Sequence, residues 1–429
     1  MVDTAAVKIW GELAGAVSWI EEKNYAVFEY APEYLEKGPE LAPLTMPHSK
    51  AKTDPLFLFN LLNKDTFLGL PGMLADSLPD DFGNAVINAW LEKQGRVAGS
   101  MNPIERLCYV GKRGMGALEY EPVMREELSE GYKIEVDELA RLADVILNRR
   151  DKLKTNYLEK TDALNDIIRV GSSAGGARPK AIIAWNEETG EIRSGQSRAP
   201  DDFDYWIMKF DGVQSEKLGN PAGFGRIEYA YYLMAKAAGI SMMPCRLFEE
   251  AGRAHFMTKR FDRTSSYRKL HVQTLCGIAH FDYNQAGRYS YEDAFQVMRR
   301  LKLPFQDAVE QYRRMVFNIL ARNQDDHTKN ISFVMFKSGK WRLSPAYDLT
   351  FSFNPDGKWT HMHQMSLNGK REHFSREDLI DAGKAISIKK PYEIIEEVES
   401  AIAGWERFAG AAGVINEHRK YISKHLRRL

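Results

Sequence analysis

The sequence has few cysteines, no excess charge of either sign and no long apolar run. Its cysteines, Cys108, Cys245 and Cys276, are scattered along 429 residues, which excludes a disulfide framework or zinc motif and favours a reducing cytoplasm. Basic and acidic residues both number 59, so net charge provides no general attraction to nucleic acid. No apolar segment is long enough to cross a bilayer, and charges from Lys8 onward interrupt any signal-peptide core. We therefore expect a soluble, cytoplasmic protein that does not bind membranes.

What is present points to several domains with both helices and strands. A chain of 429 residues, 44% of them hydrophobic, can bury more than one core. Short strand-like segments with glycine turns come first, a small mixed region follows, and helical periodicity dominates from about residue 270 onward. In this last region, only "ISFVMF", "KWRLSPAYD" and the segment near "HMHQMSL" depart from the helical pattern. The sequence thus indicates an α+β protein.

A glycine-rich segment, "VGSSAGGARPK" at 170–180, lies between two predicted strands, "DIIRV" and "KAIIAW". Gly171 and Gly176 have the first spacing of a Walker A loop, but Ala177 and Arg178 stand where lysine and serine or threonine are required. A strand also follows where that motif needs a helix. A glycine loop between two strands is instead the arrangement that covers ATP phosphates in protein kinases. The alternative is an ordinary glycine-rich turn.

Lys209 and Glu228 are candidates for a second kinase feature. Lys209 lies inside the predicted strand "YWIMKF", and Glu228 lies near the start of the next helix, "RIEYAYYLMAKAAGI". A strand lysine held by a helix glutamate is the ion pair that contacts ATP phosphates in kinase small lobes. The alternative is a solvated lysine and a surface glutamate.

The segment "ILARNQDDHTKNISF" contains the third and strongest signal. Asp325 and Asn330 have the D-x-x-x-x-N spacing of a kinase catalytic loop, in which the aspartate accepts a hydroxyl proton and the asparagine binds Mg²⁺. Asp348, after the next predicted strand, suits a second Mg²⁺ ligand. The alternative is a polar loop between a helix and a strand, with Asp348 capping a helix.

Two other interpretations of the back half remain open. Asp325, Asp326, His327, His361 and His363 are residue types that bind metals, and the two later histidines would share one face of a strand. A metallohydrolase would explain them, although not the glycine loop. The basic run "HRKYISKHLRRL" could contact nucleic acid or simply form a solvated helix end.

Together these motifs resemble one family. The segments "FEYAPEYL", "LADSLPDDFG", "SSAGGARPK", "WIMKF", "IEYAYYLMAKAAGI", "KRFDR", "QDDHTKN" and "SPAYDL" resemble HipA-type serine/threonine kinases, the toxins of HipA–HipB modules. The resemblance implies a HipA-like kinase fold of class α+β. It comprises a β-rich N-terminal subdomain over 1–112, a mixed ATP-binding small lobe over 113–262 and an all-helical C-terminal lobe over 263–429.

The resemblance also implies roles for individual residues. Asp325 would be the catalytic base, with Lys209 and Glu228 as the supporting ion pair, and Asn330 and Asp348 would bind Mg²⁺. The ATP contacts that it implies are Gly175, Gly176, Ala177, Arg178, Pro179, Lys180, Lys209, Lys259, Arg260, Phe261, His327, Thr328, Lys329 and Asn330. Members of the family inactivate themselves by phosphorylating a serine of the glycine loop, a position that Ser173, or Ser172 beside it, would occupy.

The family's partners define the remaining expectations. Its members bind a small helix-turn-helix antitoxin, reach operator DNA mainly through it, and phosphorylate aminoacyl-tRNA synthetases. A catalytically inactive corepressor acting with such an antitoxin is the alternative function. The complete set of Asp325, Asn330 and Asp348 favours the enzyme.

Overall fold

The computed structural model of the chain describes residues 2–79, 81–124, 135–148, 178–213, 222–264 and 267–429. The chain divides into two compact units, and both are made of discontinuous segments. The first unit consists of Met1–Ala42, Met46–Gly225 and Arg246–Val272, and the second consists of Pro43–Thr45, Arg226–Cys245 and Gln273–Leu429.

The first unit begins with an antiparallel sheet in which side chains alternate between the core and solvent. Its strands are β1 (Thr4–Ile9), β2 (Glu12–Ile20), β3 (Tyr25–Tyr30), β4 (Leu56–Leu58) and β5 (Leu118–Glu121). They pair in the order β4-β3-β2-β1-β5. Val7, Ile9 and Phe28 are fully buried at alternate positions, which is the period-two pattern of a sheet with one packed face. The predicted β-rich front of the chain is confirmed.

In the described ranges, this unit also contains seven helices. They are α1 (Pro32–Lys37), α2 (His48–Ala51), α3 (Lys64–Phe67), α4 (Gly72–Ala75), α5 (Asp81–Lys93), α6 (Pro103–Val110) and α7 (Val136–Asn148). Helix α6 has a capping box, in which Asn102 accepts from the Glu105 amide and the Glu105 carboxylate accepts from the Asn102 amide.

A second antiparallel sheet supports the nucleotide-binding candidates. Its strands are β6 (Lys180–Trp185), β7 (Ile192–Ser194), β8 (Asp204–Lys209), β9 (Cys245–Glu250) and β10 (Arg253–Lys259), in the order β7-β6-β8-β10-β9. Ile183, Trp206 and Met208 of this sheet form one buried cluster with Phe82 of α5 and Leu139 of α7. The predicted strands "KAIIAW" and "YWIMKF" and the turn at "NEETGE" between β6 and β7 are confirmed.

The second unit is mainly helical. Its helices are α8 (Phe224–Ala237, which starts in the first unit), α9 (Leu275–Ala279), α10 (Tyr291–Arg300), α11 (Phe305–Leu320), α12 (Arg376–Ala385), α13 (Pro391–Ala403), α14 (Trp405–Ala411) and α15 (Asn416–His425). Tyr312, Val316 and Leu320 of α11 are fully buried, and α11 packs against α13. Among the described helices, none is both long and apolar enough to span a bilayer.

Two expectations for this region need correction. The back half is not all-helical, since β11 (His271–Thr274), β12 (Ser332–Met335) and β13 (Trp341–Leu343) form a sheet in that order. The segment "HMHQMSL" forms no regular strand and contributes only isolated bridges at Ser366 and Leu367. Its polar residues bond to the surrounding loops instead.

The segment "DIIRV" lies outside the described residues, and the domain boundaries after 112 and 262 remain predictions.

Candidate active site

Two lysines face each other at one end of the second sheet. Strands β6 and β8 pair with Lys180 directly opposite Lys209, so both side chains extend from the same face. Lys180 is only 2% exposed, and the Lys209 ammonium lies 5.8 Å from the centroid of the Phe256 ring. Like charges directly opposite each other are destabilising in a sheet. The two predicted phosphate-binding lysines are therefore neighbours at this end of the sheet.

The predicted glycine loop lies just before this lysine pair. Gly175, Gly176, Ala177 and the candidate serines, Ser172 and Ser173, fall outside the described residues. After the loop, the Arg178 guanidinium lies 4.6 Å from the centroid of the Phe224 ring. The Pro179 carbonyl accepts a 3.0 Å hydrogen bond from the Phe210 amide. The exit of the loop is thus attached to the strand that carries Lys209.

The family resemblance implies that Lys259, Arg260 and Phe261 contact the adenine of ATP. The side chains of the first two bind protein carboxylates. Lys259 forms an ion pair of 2.7 Å with Asp204. Arg260 donates two hydrogen bonds, of 2.8 and 2.7 Å, to the fully buried Asp262, which also accepts from Arg263. Burial alone would raise the pKa of Asp262, but the two guanidinium groups hold it well below its ordinary value. A contact between this segment and adenine would therefore use backbone groups or Phe261.

Glu228, the predicted partner of Lys209, lies in α8 and is 2% exposed. A carboxylate so deeply buried needs hydrogen bonds or a cation to remain charged. Lys209 belongs to the first unit and Glu228 to the second, and their pairing remains a prediction.

The D-x-x-x-x-N segment folds back on itself between α11 and β12. Thr328–Asn330 form a single 3-10 turn, and the Asn330 amide donates to the His327 carbonyl at 2.8 Å. The Asn330 side-chain nitrogen donates to the backbone carbonyl of Asp325 at 2.7 Å. The hydroxyl of Thr328 donates to the Phe281 carbonyl at 2.7 Å. The turn thereby brings both ends of the motif together, as the spacing predicts for a catalytic loop.

The Asp325 carboxylate is held on one side and accessible on the other. Its Oδ1 accepts a 2.5 Å hydrogen bond from the indole N–H of Trp359. The Nε2 atom of His327 lies 3.7 Å from the same oxygen, and the Asp325 side chain is 41% exposed. Within the described part of the chain, no hydrogen bond reaches Oδ2. A hydroxyl group could therefore approach this second oxygen.

Asp326, the next residue, points into the core and has a structural environment. Its Oδ2 accepts from the Tyr291 hydroxyl at 2.7 Å and lies 2.8 Å from His363 Nδ1, while its Oδ1 accepts from the Gln364 amide at 2.7 Å. Burial raises the pKa of Asp326, but His363 and these hydrogen bonds lower it below its ordinary value. Arg427 lies 2.9 Å from His363 Nε2. Because arginine can only donate, Nδ1 of His363 carries the proton given to Asp326.

Asn330 and Asp348 have suitable chemistry for Mg²⁺. The nitrogen of the Asn330 amide is used by Asp325, which leaves its oxygen as a ligand. Tyr347 donates to the Lys329 carbonyl at 2.6 Å and thus ties the chain before Asp348 to the candidate catalytic loop. Asp348 has a left-handed backbone with φ of 53°. Carboxylate and amide oxygens are preferred Mg²⁺ ligands, and a phosphate-bound Mg²⁺ needs only one or two from the protein.

The remaining predicted ATP contact in this loop, Lys329, lies beside an aromatic side chain. Its ammonium is 4.5 Å from the centroid of the Tyr283 ring, and the same ring is 5.4 Å from that of His327. The ring face attracts the cation, so the lysine has a defined position next to Asn330.

The metallohydrolase interpretation is not supported by this geometry. Asp326 and His363 bond to each other and to Tyr291, Gln364 and Arg427, while His361 Nδ1 lies 2.8 Å from the Gly357 carbonyl. In the described ranges, no group of three or more histidine, cysteine or acidic side chains could hold a metal ion. The two later histidines stabilise loops.

Sequence reasoning missed Trp359 and Gln364. Trp359 contacts the predicted base, and the Gln364 side chain donates to the Trp359 carbonyl. Both lie in an irregular segment without hydrophobic periodicity, and no motif signals them. They are adjacent to Asp325 and Asp326 only after folding.

Comparisons with known proteins agree with this architecture. The family model of the HipA N-terminal domain matches residues 5–121, and that of the HipA-like C-terminal domain matches residues 172–405. The HipA chain in a solved complex of HipA, HipB and operator DNA from Shewanella oneidensis MR-1 matches with a TM-score of 0.64. The match covers 98% of this chain and 94% of that chain at 16% identity.

A curated protein from Sinorhizobium fredii (strain NBRC 101917 / NGR234), named "Putative kinase Y4mE", is 26% identical over 125 residues. The match covers 27% of this chain and 30% of that protein. It therefore spans less than a third of the relative's length.

The structural match shows that the chain is an α+β protein with the HipA-like kinase fold. The C-terminal domain model alone matches more than half of the chain. The chain belongs to the HipA family.

Proposed function

We propose that the chain is an ATP- and Mg²⁺-dependent protein serine/threonine kinase and the toxin of a toxin–antitoxin module. The observation that carries the proposal is Asp325, whose carboxylate has one oxygen held by Trp359 and the other open to a hydroxyl. The return of Asn330 to the Asp325 backbone supports it, because kinases require both groups within one loop.

Bound Mg-ATP would supply the phosphoryl group, and the chain's own residues would position it. Lys180, Lys209 and the loop over 175–180 would bind the phosphates, and Asn330 and Asp348 would hold Mg²⁺. Asp325 would accept the proton of the acceptor hydroxyl while that oxygen bonds to phosphorus and the bond to the leaving ADP breaks. Fixed charges of this kind stabilise the charge that develops during transfer.

Family membership extends the proposal to partners and regulation. The solved Shewanella complex contains HipA, HipB and operator DNA, and we propose that this chain binds a helix-turn-helix antitoxin and reaches DNA mainly through it. We further propose that an aminoacyl-tRNA synthetase is the substrate. Autophosphorylation of Ser173 or Ser172 would inactivate the enzyme, because nearly two negative charges would be added beside the ATP phosphates.

A phosphoryl-transfer assay tests the proposal. The full-length chain is incubated with magnesium, γ-labelled ATP and the aminoacyl-tRNA synthetase fraction of its host. We expect a labelled synthetase band, and Asp325→Asn should lower transfer by about 100-fold or more because the base is removed. Asp348→Asn should mainly weaken Mg-ATP binding. Asp356→Asn is the matched control, since Asp356 is exposed and lies in the loop that follows.

Mass spectrometry of the same reaction identifies the modified residues. A phosphate on the peptide that contains Ser172 and Ser173 would support self-inactivation, and an unmodified peptide in active enzyme would contradict it. If the wild-type chain transfers phosphate to no protein, the kinase proposal is wrong and the corepressor function becomes the better explanation.

A further inference from the structure

Trp359 is the one side chain from outside the D-x-x-x-x-N segment that bonds to the Asp325 carboxylate in the described part of the chain. Its indole N–H donates to Oδ1 at 2.5 Å. Hydrogen bonds to a charged acceptor are short and about twice as strong as neutral ones. Trp359 is only partly buried, and its ring centroid lies 6.3 Å from that of His327. It is therefore placed beside the open edge of the loop.

The position of Trp359 is fixed by the residue that also fixes Asp326. The side-chain amide of Gln364 donates to the backbone carbonyl of Trp359, and the backbone amide of Gln364 donates to Asp326 Oδ1 at 2.7 Å. Gln364 is 3% exposed. The indole and the catalytic loop thus share one rigid support, and the bond to Asp325 is part of the fold.

The donors around Asp325 restrict both its backbone and its carboxylate. The side-chain amide of Asn330 holds the backbone carbonyl at 2.7 Å, while Trp359 and His327 converge on Oδ1. Rotation of the carboxylate would break the indole bond. Oδ2 is consequently directed to the exposed side of the loop.

We propose that Trp359 is a positioning residue for the phosphoryl transfer: it holds Oδ1 of Asp325 so that Oδ2 receives the acceptor's hydroxyl proton. This inference rests on the proposed kinase function. Catalytic groups that lose their orientation by a small distance can lose up to about 100-fold in rate, so the indole bond should affect turnover more than nucleotide binding.

Trp359→Phe tests the inference because it removes the N–H group and keeps an aromatic ring. With γ-labelled Mg-ATP and the synthetase fraction as acceptor, we expect kcat to fall by roughly 10- to 100-fold and KM for ATP to stay within about twofold of wild type. Trp10→Phe is the matched control, since it also loses an indole hydrogen bond, of 2.7 Å, but to the Lys269 carbonyl. It should retain wild-type kinetics.

An activity-independent measurement examines the contact itself. In full-length protein labelled with ¹⁵N-tryptophan, the indole signal absent from Trp359→Phe should move upfield in Asp325→Ala, because the charged acceptor is lost. The Trp10 signal should not move. An unchanged Trp359 signal would show that the bond does not form and would overturn the inference.

The kinetic outcomes separate the two proposals. Unchanged or increased kcat in Trp359→Phe overturns the positioning role alone, and an increase would identify an autoinhibitory contact instead. Absence of transfer by the wild-type chain overturns the kinase function, together with the inference that depends on it.

Discussion

His271, at the start of β11, shows how one buried side chain couples stability to pH. It is fully buried, and this burial lowers its pKa to about 4, against a smaller opposing effect of a backbone hydrogen bond with Leu41. His255 and His280 have pKa values lowered to about 4 for the same reason. Each of these histidines is neutral in the folded protein, whereas in the unfolded chain each binds a proton with the ordinary pKa of histidine.

The free energy of unfolding should fall on acidification because of these histidines. Since the folded pKa of His271 is depressed, its contribution is complete above about pH 6.5 and is lost as pH falls towards 4. Between about pH 7.5 and about pH 5, the loss attributable to His271 is about 2 kcal/mol. Urea denaturation at both pH values should show that the free energy of unfolding of His271→Gln falls by about 2 kcal/mol less than that of the wild type. An equal loss in both proteins would contradict this assignment.

The candidate site residues differ in whether the sequence alone allows them to be recognised. Asp325 and Asn330 are recognisable because only four residues lie between them and one turn joins them. Trp359 is 34 residues from Asp325, and no local rule links the two.

At the scale of secondary-structure elements, the close approach of Gly225 to β10 within the first unit requires glycine. A Cβ atom at Gly225 would lie 2.0 Å from the Ala254 carbonyl oxygen. Gly225 also donates to Asp211 at 3.4 Å, so the first turn of α8 is tied to its surroundings. Gly410, inside α14, would meet nothing within 4 Å.

Alanine at these two glycines should have opposite effects on stability. Gly225→Ala should lower the free energy of unfolding by about 1–3 kcal/mol or more, because a backbone oxygen cannot move away easily. Gly410→Ala should raise it by about 0.5–1 kcal/mol, because alanine favours the helix and nothing obstructs its methyl group. Denaturant titration measures both. Destabilisation by both substitutions to the same extent would show that the difference in space around the two glycines does not govern their effect.

Within the second unit, Arg427 links the segment after α15 to the loop that carries the D-x-x-x-x-N motif. Its guanidinium donates to the Ile319 carbonyl at 2.7 Å and to Glu372 at 2.6 Å, and lies 2.9 Å from His363. His363 in turn bonds to Asp326. The basic run that could have contacted nucleic acid thus includes one arginine that folds inward, with a side chain 8% exposed.

Replacement of Arg427 should therefore destabilise the unit. Arg427→Ala removes one of the two guanidinium groups that bind Glu372, Arg322 being the other, and leaves His363 Nε2 without its donor. It should lower the free energy of unfolding by about 1–3 kcal/mol. The adjacent Arg428 is exposed, and Arg428→Ala should change the free energy of unfolding by less than about 0.5 kcal/mol. Thermal and urea unfolding of the two variants provide the comparison. Equal effects would show that only the local charge matters.

The secondary-structure elements and the D-x-x-x-x-N motif can be predicted from the sequence alone. Side-chain periodicity predicted the front strands, the β6–β7 hairpin, α8 and α11, because each depends on neighbours within a few residues. The D-x-x-x-x-N spacing predicted the candidate catalytic loop for the same reason. Contacts between distant parts of the chain arise only on folding. They place Lys180 opposite Lys209, the Trp359 indole on Asp325 and Arg427 beside His363, which lies 64 residues earlier. Such contacts depend on strand register and on how loops pack, and neither can be predicted from the spacing of residues along the chain.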